Sequence, residues 1–312
     1  MRISRLNRSF KQKGIALITV MLVLAVVGVA LMSMSSERQM DTRRTENQLR
    51  ALQAWQAVYQ LEAQAASVLQ ADALANKYDA LSDNWNKPLK AEVMALGDLK
   101  GTLTDLQGRI NLNNLIVDDA VDADTVAQLK RLFTQLKLKP NLVDALVDWV
   151  DKDMAVTGTQ GAEDDYYSKL KPPYRSANNL FADVSELLKV RGITAEVYSK
   201  IQPYIYVASG YASLNINTAS AEVLRTLAPD IKKKEAESIY NASGKPFKAV
   251  DEFLADEAMS GIKVNKDHLT VVSQYFLLSG QIAMGKSDLI FQSQLIRDNL
   301  GKVSVIKRLR RS

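Results

Sequence analysis

Ile15 to Met34 (IALITVMLVLAVVGVALMSM) is a run of twenty residues without a charged side chain. That is the length an α-helix needs to cross the hydrocarbon core of a bilayer. The preceding MRISRLNRSFKQKG carries Arg2, Arg5, Arg8, Lys11 and Lys13 and no acid. Cations beside a span are retained in the cytoplasm, which predicts a single pass with everything after Met34 on the far side of the membrane. An ordinary secretory signal has a shorter apolar core and a small-residue cleavage site after it. Ala30-Leu31-Met32 is a poor imitation of such a site, so these residues taken alone fit an uncleaved signal anchor.

The formal charge of +5 equals the five cations of this leader, and nucleic-acid affinity does not follow from it. A further five cations (Lys302, Lys307, Arg308, Arg310, Arg311) lie in the tail, which leaves residues 15–300 mildly acidic, with 30 bases against 35 acids. There is no cysteine, which excludes disulfides, thiolate metal sites and cysteine nucleophiles. His268 is the sole histidine. Zinc sites built on several histidines are therefore excluded, and His268, set in KDHLTVV just before an apolar run, reads as a surface or strand-edge residue.

The chain is long enough for about two domains with sizeable cores. Residues 35–48 lack Gly and Pro, and Leu49, Leu52, Trp55, Tyr59, Ala63 and Ala66 recur at spacings of three and four. The membrane helix is thus predicted to continue as an amphipathic helix to about Leu74, with those residues as its buried stripe. Residues 91–96 and 101–107 read as strands around a Gly97-Asp98 turn. Residues 270–283, 288–297 and 303–309 read as strands joined at Gly285-Lys286 and Asn299-Leu300-Gly301. Between these two groups, from about Gly108 to Asn265, the pattern is mostly helical.

That middle region repeats itself. Ile110-Asn111-Leu112-Asn113 returns as Leu214-Asn215-Ile216-Asn217, and FADVSELL from Phe181 returns as FKAVDEFL from Phe247, each followed by Gly-Ile at 192–193 and 261–262. Both units are predicted to close on a strand-like segment, YIYV at 204–207 and YFLL at 275–278. The asparagines read as turn formers and caps. Residues 214–239 resemble a helix-hairpin-helix module, whose glycine turn presents amide groups to a DNA phosphate. Here Pro229-Asp230-Ile231 replaces that turn, and Arg191-Gly192-Ile193-Thr194 keeps one glycine. Proline has no N–H and aspartate repels phosphate, so these hairpins suit protein contacts better than DNA. Lys232, Lys233 and Lys234 read as a solvated helix face.

The densest chemistry lies in NLVDALVDWVDKDMAVTGTQGAEDDYY, residues 141–167. It places Asp144, Asp148, Asp151, Asp153, Glu163, Asp164 and Asp165 beside a single base, Lys152. Such charges repel unless they are solvated, paired or bridged by a hard cation with oxygen ligands. The EF-hand pattern is absent, since counting from Asp151 puts Val156 where glycine belongs and Ala162 where the bidentate glutamate belongs. Generic acidic surface and a cation site both fit. Paired carboxylates could serve a hydrolase, but no polar cleft follows from the sequence.

The Lys13-Gly14-Ile15 junction resembles a type IV prepilin leader. The run DWVDKD, GAEDDYY, PPYRSANNLFADVSELLKVRGIT (148–153, 161–167, 172–194) is similar to component K of the type II secretion system, a minor pseudopilin. The resemblance implies cleavage after Gly14 by a prepilin peptidase and N-methylation of Ile15. Thr19 stands at the fifth mature position, where most pilins have glutamate, and this departure is characteristic of component K. The resemblance also implies calcium bound in the helical domain, with Asp148, Asp151, Asp153, Glu163, Asp164 and Asp165 as candidate ligands.

The implied fold is α+β: a long N-terminal membrane-spanning helix packed on a small antiparallel sheet, the pseudopilin fold, with a large inserted all-α domain of two helix-hairpin-helix-like units. The expected divisions are leader 1–14, transmembrane part 15–34, the rest of the helix and first strands 35–107, insert 108–265 (units at about 108–207 and 212–265) and C-terminal strands 266–312. The implied role is a non-enzymatic cap on the periplasmic pseudopilus that starts its assembly with components I and J. The protein would sit in the inner membrane with its bulk periplasmic and no nucleic-acid partner. The alternative is a membrane-anchored helix-hairpin-helix DNA-binding protein of an uptake apparatus.

Overall fold

A computed structural model describes residues 13–93, 97–241, 244–284 and 287–311. The leader up to Gln12, Met94-Ala95-Leu96 and the Gly285-Lys286 turn lie outside the described residues. One helix, α1, spans Lys13–Ala75. From Ile15 it is long and apolar enough to cross a membrane, with a mean hydropathy of 3.0 in its most apolar stretch. The side chains from Ile15 to Met34 are all exposed. Contacts divide the chain into two units, residues 1–56 and 57–312.

Within the second unit, five antiparallel strands form one sheet: β1 (Leu89–Val93), β2 (Gly97–Asp105), β3 (Tyr275–Met284), β4 (Ser287–Arg297) and β5 (Val303–Arg311), adjacent in that order. Val93 pairs with Gly97, so Gly97-Asp98 belongs to β2 and is not the predicted turn. The Asn299–Gly301 turn is present, with Gly301 at φ +81° and its N–H on the Asp298 carbonyl. A bulge in β5 interrupts the register between Gln294 and Leu295 of β4.

Helix α1 meets the sheet through Ala57, Val58, Leu61, Ala65 and Leu69, all buried. The predicted stripe is a different row: Leu49, Leu52 and Tyr59 remain exposed. A glycine on the sheet decides between the rows. Gly101 and Gly280 face each other across β2 and β3, and a Cβ on Gly101 would stand 3.0 Å from the Leu61 side chain. Leu61 is fully buried, which is worth about 2 kcal/mol. At the next residue, the buried Glu62 carboxylate accepts from Ser293 Oγ at 2.7 Å and from both Nε and Nη2 of Arg308 at 2.8 and 2.9 Å. A polar residue on the buried face is thus held by a two-pronged charged pair.

The chain leaves the sheet at Asp105 and returns at Tyr275. The intervening segment carries α2 (Ala123–Gln135), α3 (Leu142–Val150), α4 (Asp164–Tyr167), α5 (Ala195–Ile201), α6 (Ala221–Leu224), α7 (Lys233–Asn241) and α8 (Val250–Leu254) around one apolar core. It is not wholly helical. Ile110-Asn111 pairs in parallel with Ile205-Tyr206, Leu214-Asn215 pairs in parallel with Leu269-Thr270, and Ile116-Val117 pairs with Ala120-Val121.

The repeat is visible bond by bond. Asn113 donates to the Phe181 carbonyl (3.0 Å) and accepts from its N–H (2.8 Å). Asn217 makes the same pair with Phe247, at 2.9 Å in both directions. The Asn111 and Asn215 side chains each accept from the N–H two residues on. Glu186 and Glu252 each reach back to the N–H four residues before them. Gly192 and Gly261 both adopt positive φ, +78° and +76°, which glycine tolerates without cost. The end of the second repeat differs from the expectation. Leu269-Thr270 is the counterpart of Ile205-Tyr206, whereas YFLL opens β3 of the sheet.

Each asparagine clamp satisfies a donor and an acceptor that the core would otherwise leave unpaired. Asn113→Ala and Asn217→Ala should each lower unfolding stability by about 2–3 kcal/mol in chemical denaturation. Loss at one site alone would refute the equivalence of the two clamps.

Candidate metal centre

Helix α3 is buried along its whole length, because LVDALVDWV alternates apolar residues with two acids spaced i, i+4 on one face. Those acids find protein partners. Asp144 pairs with Lys130 Nζ at 2.8 Å and accepts from Thr159 N–H. Asp148, fully buried, accepts the Thr157 N–H at 3.0 Å, and burial raises its pKa. Gly158 and Gly161 lie against these carboxylates so closely that a Cβ on either would collide with Asp144 or Asp148. Gly158 also has φ +56°.

Asp151 caps the C-terminal end of α3, where the helix dipole disfavours an anion. The loop brings Glu163, at the start of α4, back to it. Asp151, Asp153 and Glu163 each offer a carboxylate oxygen, and the three oxygens lie within 4.8 Å of one another. Asp151 Oδ1 and Glu163 Oε1 are buried with no donor. Glu163 Oε2 takes the Ser176 hydroxyl at 3.4 Å. Burial, then repulsion from Asp153 and Asp148, pushes Asp151 up to about 6. Burial, then repulsion from Asp148 and Asp151, pushes Glu163 up to about 7. Lys152, the base of this stretch, turns away to Asp119 at 2.6 Å.

Three carboxylates with two orphaned oxygens and no cation among them form a donor set for a hard divalent ion, whose opposed oxygen ligands stand about 5 Å apart. Of the six predicted ligands, the structure gathers Asp151, Asp153 and Glu163, with Asp148 close enough to act on both buried acids. Asp164 and Asp165 stand outside this triad. Asp164 accepts from the Ser176 N–H and hydroxyl, both at 2.9 Å, and Asp165 is exposed. Ser176 was not foreseen, since a lone serine in PPYRSANN carries no signal of its own. Trp149 stacks edge-on against Tyr167 at 5.3 Å, two residues before Asp151.

Asp122, Asp124 and His268 make a second trio. Asp122 Oδ2 caps α2 through the Thr125 N–H, Asp124 takes the Asn265 amide, and His268 Nε2 lies 3.8 Å from Asp122. Capping and amide contacts account for this group without an ion. Lys232, Lys233 and Lys234 are exposed as expected, with Lys233 3.5 Å from Glu237. At the N-terminal end of the chain, Gly14 and Ile15 lie inside α1, and the Thr19 hydroxyl donates to the Ala16 carbonyl at 2.9 Å.

Residues 108–210 and 214–272 match two separate family models, each described as type II secretion system (T2SS), protein K. Type II secretion system protein K of Pseudomonas aeruginosa is 34% identical over 95% of this chain and 92% of its own length. That of Aeromonas hydrophila is 31% identical over 96% and 97%. A chain in the crystal structure of the GspK-GspI-GspJ complex from the enterotoxigenic Escherichia coli type 2 secretion system is also similar. It superimposes with a TM-score of 0.76 at 25% identity, covering 86% of this chain and 99% of that one. The chain belongs to the type II secretion system protein K family.

Proposed function

We propose that this chain is a minor pseudopilin that starts and caps the periplasmic type II secretion pseudopilus, working with the counterparts of GspI and GspJ. The observation that carries this reading is end-to-end similarity to protein K, including a solved relative in complex with those two proteins. Helix α1 and the sheet are read as the pseudopilin fold, and residues 108–265 as an inserted domain of two helix-hairpin-helix-like units, which the doubled asparagine clamps support. Such an insert would stop further subunits from stacking above it. Thr19 bonds within its own helix and offers no carboxylate to a preceding subunit's amine, which suits a terminal position. The role is placement by burial of apolar helix surface, with no catalytic step. Co-expressed I and J counterparts should co-purify with the full chain in detergent. Salt-sensitive binding to duplex DNA without those partners would favour the DNA-uptake alternative instead.

The same reading makes Gly14 the last leader residue and Ile15 the methylated terminus left by prepilin peptidase, in the inner membrane with the bulk periplasmic. Mass spectrometry of the membrane-extracted protein should find a chain beginning at N-methyl-Ile15. An intact Met1 terminus in cells with an active peptidase would refute it.

The acidic triad is proposed to hold structural calcium through Asp151, Asp153 and Glu163, with Asp148 beside it. The orphaned oxygens of Asp151 and Glu163 support the fit. Calcium at a hundred times its Kd should stabilise the fold by about 2.7 kcal/mol, and Asp151→Asn should abolish that gain. Without calcium, both raised acids bind protons in the folded state that the unfolded chain releases. The apo protein should therefore gain stability as pH falls from about 7 towards 4 and lose it as pH rises. Calcium requires the ionised forms, so its affinity should drop over the same range. Calorimetric titrations at several pH values would expose a flat profile, and that result would remove calcium from this site.

A further inference from the structure

The last turn of α1 ends where buried charge does not balance. Asp72, Asp79 and Asp105 are at most 7% exposed, and Arg297, 3% exposed, is the buried cation between them. They come from α1, the loop after it, the end of β2 and the end of β4. Arg297 donates to Asp79 Oδ2, to the Ser273 carbonyl at 2.7 Å and to the Leu69 carbonyl at 3.2 Å. Asp79 Oδ2 also accepts the Ser273 N–H at 2.7 Å. Asp105 is satisfied on both oxygens, by the Gln107 N–H and by Ser273, Thr218 and Asn215 of the inserted segment.

Asp72 and Asp79 are not so satisfied. Asp72 Oδ1 takes the Asn76 amide at 2.9 Å, while Oδ2, 3.9 Å from Arg297 Nη1, has no donor; nor has Asp79 Oδ1. The two carboxyl groups flank one guanidinium, Asp72 Oδ2 at 3.9 Å from Nη1 and Asp79 Oδ2 bonded to Nη2, and Asp79 acts on Asp72 both as a like charge and as a side-chain hydrogen-bond partner. Two orphaned acceptors on neighbouring buried acids become a donor and an acceptor if one proton lies between them. That proton also removes one of the negative charges around a single guanidinium, as in other carboxyl pairs too close for both to ionise.

We propose that Asp72 and Asp79 share one proton, which makes the junction of helix α1, the inserted segment and the sheet a proton-operated latch. An open cavity of about 750 Å³, lined by Asn76, Lys77, Asp79, Ser273, Arg297 and Asp298 among others, gives solvent a route to it. The surrounding charges agree. Burial raises Asp72 to about 6 against the opposing Asn76 bond, with further upward pushes from Asp83 and Asp79. Asp83 is itself raised, by burial first, and feels both Asp79 and Arg297. Asp105 is raised to about 6 by burial, and Arg109 faces it from the insert side. Acids raised above 3.8 stabilise the fold when protonated. The latch therefore holds fully at acid pH and loosens as pH rises through about 6.

The test uses the full chain in detergent micelles with saturating calcium, so that the acidic triad stays ionised. Its melting temperature is followed from about pH 5 to about pH 8. The wild type should lose several degrees over this range. Asp72→Asn, whose amide gives Asp79 a permanent donor, should match it at the acid end and melt several degrees higher at the alkaline end. A lower melting temperature for Asp72→Asn at the alkaline end would overturn the proposal, because Asp72 would then be needed as an anion. If that variant does not fold, infrared difference spectra of the wild type against Asp79→Asn, both with carboxyl-labelled aspartate, serve instead. A protonated-carboxyl band below pH 6 that fades above it is the expected result, and its absence overturns the shared proton.

Discussion

The seat of Leu61 on the sheet sets the position of everything else in the larger unit. A helix can lie flush against a sheet only where the sheet leaves room, and Gly101 leaves that room for Leu61. Once Leu61 is there, Glu62 must be buried beside it, and Arg308 on the edge strand supplies the charge that makes this tolerable. The same register carries Leu69 and Asp72 to the far end of the sheet, where Arg297 waits. One contact without polarity thus fixes two that are strongly polar, and the polar ones restrict the helix rotation that an apolar surface alone would permit.

The inserted segment solves a different problem. Its helices are short and several span a single turn, so propensity contributes little to them. Order comes instead from asparagine side chains that replace backbone pairing, twice, in the same pattern. Buried amides of this kind are costly if half satisfied, and here both ends of each are used. The acidic loop is the exception in the first repeat of the inserted segment. Lys130, Thr157 and Thr159 quiet Asp144 and Asp148, while Asp151 and Glu163 keep oxygens with no donor.

What could be read from the chain follows from which signals are local. The apolar span, the hairpin turn at Asn299–Gly301 and the Asn-x-Asn repeat are written in adjacent residues. The charge density at 144–165 was legible, but its division was not. Which acids pair and which converge depends on a lysine and a serine whose places are set by the fold. The buried row of α1 is not legible locally, because the helix carries two apolar rows and the sheet glycine that chooses between them, Gly101, lies outside the helix. The Asp72–Asp79–Arg297 cluster left no trace at all, since each member looks like an ordinary surface charge in its own neighbourhood.

Asp105 and Phe276, at the two ends of the excursion from the sheet, are direct neighbours across β2 and β3, a separation of about 5 Å. A gap that small is one a tight turn could bridge, so the sheet owes nothing of its connectivity to residues 106–274. The excursion is a cassette plugged into a complete hairpin. Its shape can drift, enlarge or shed pieces between relatives while the spine keeps its register, provided the few polar contacts at the socket are kept.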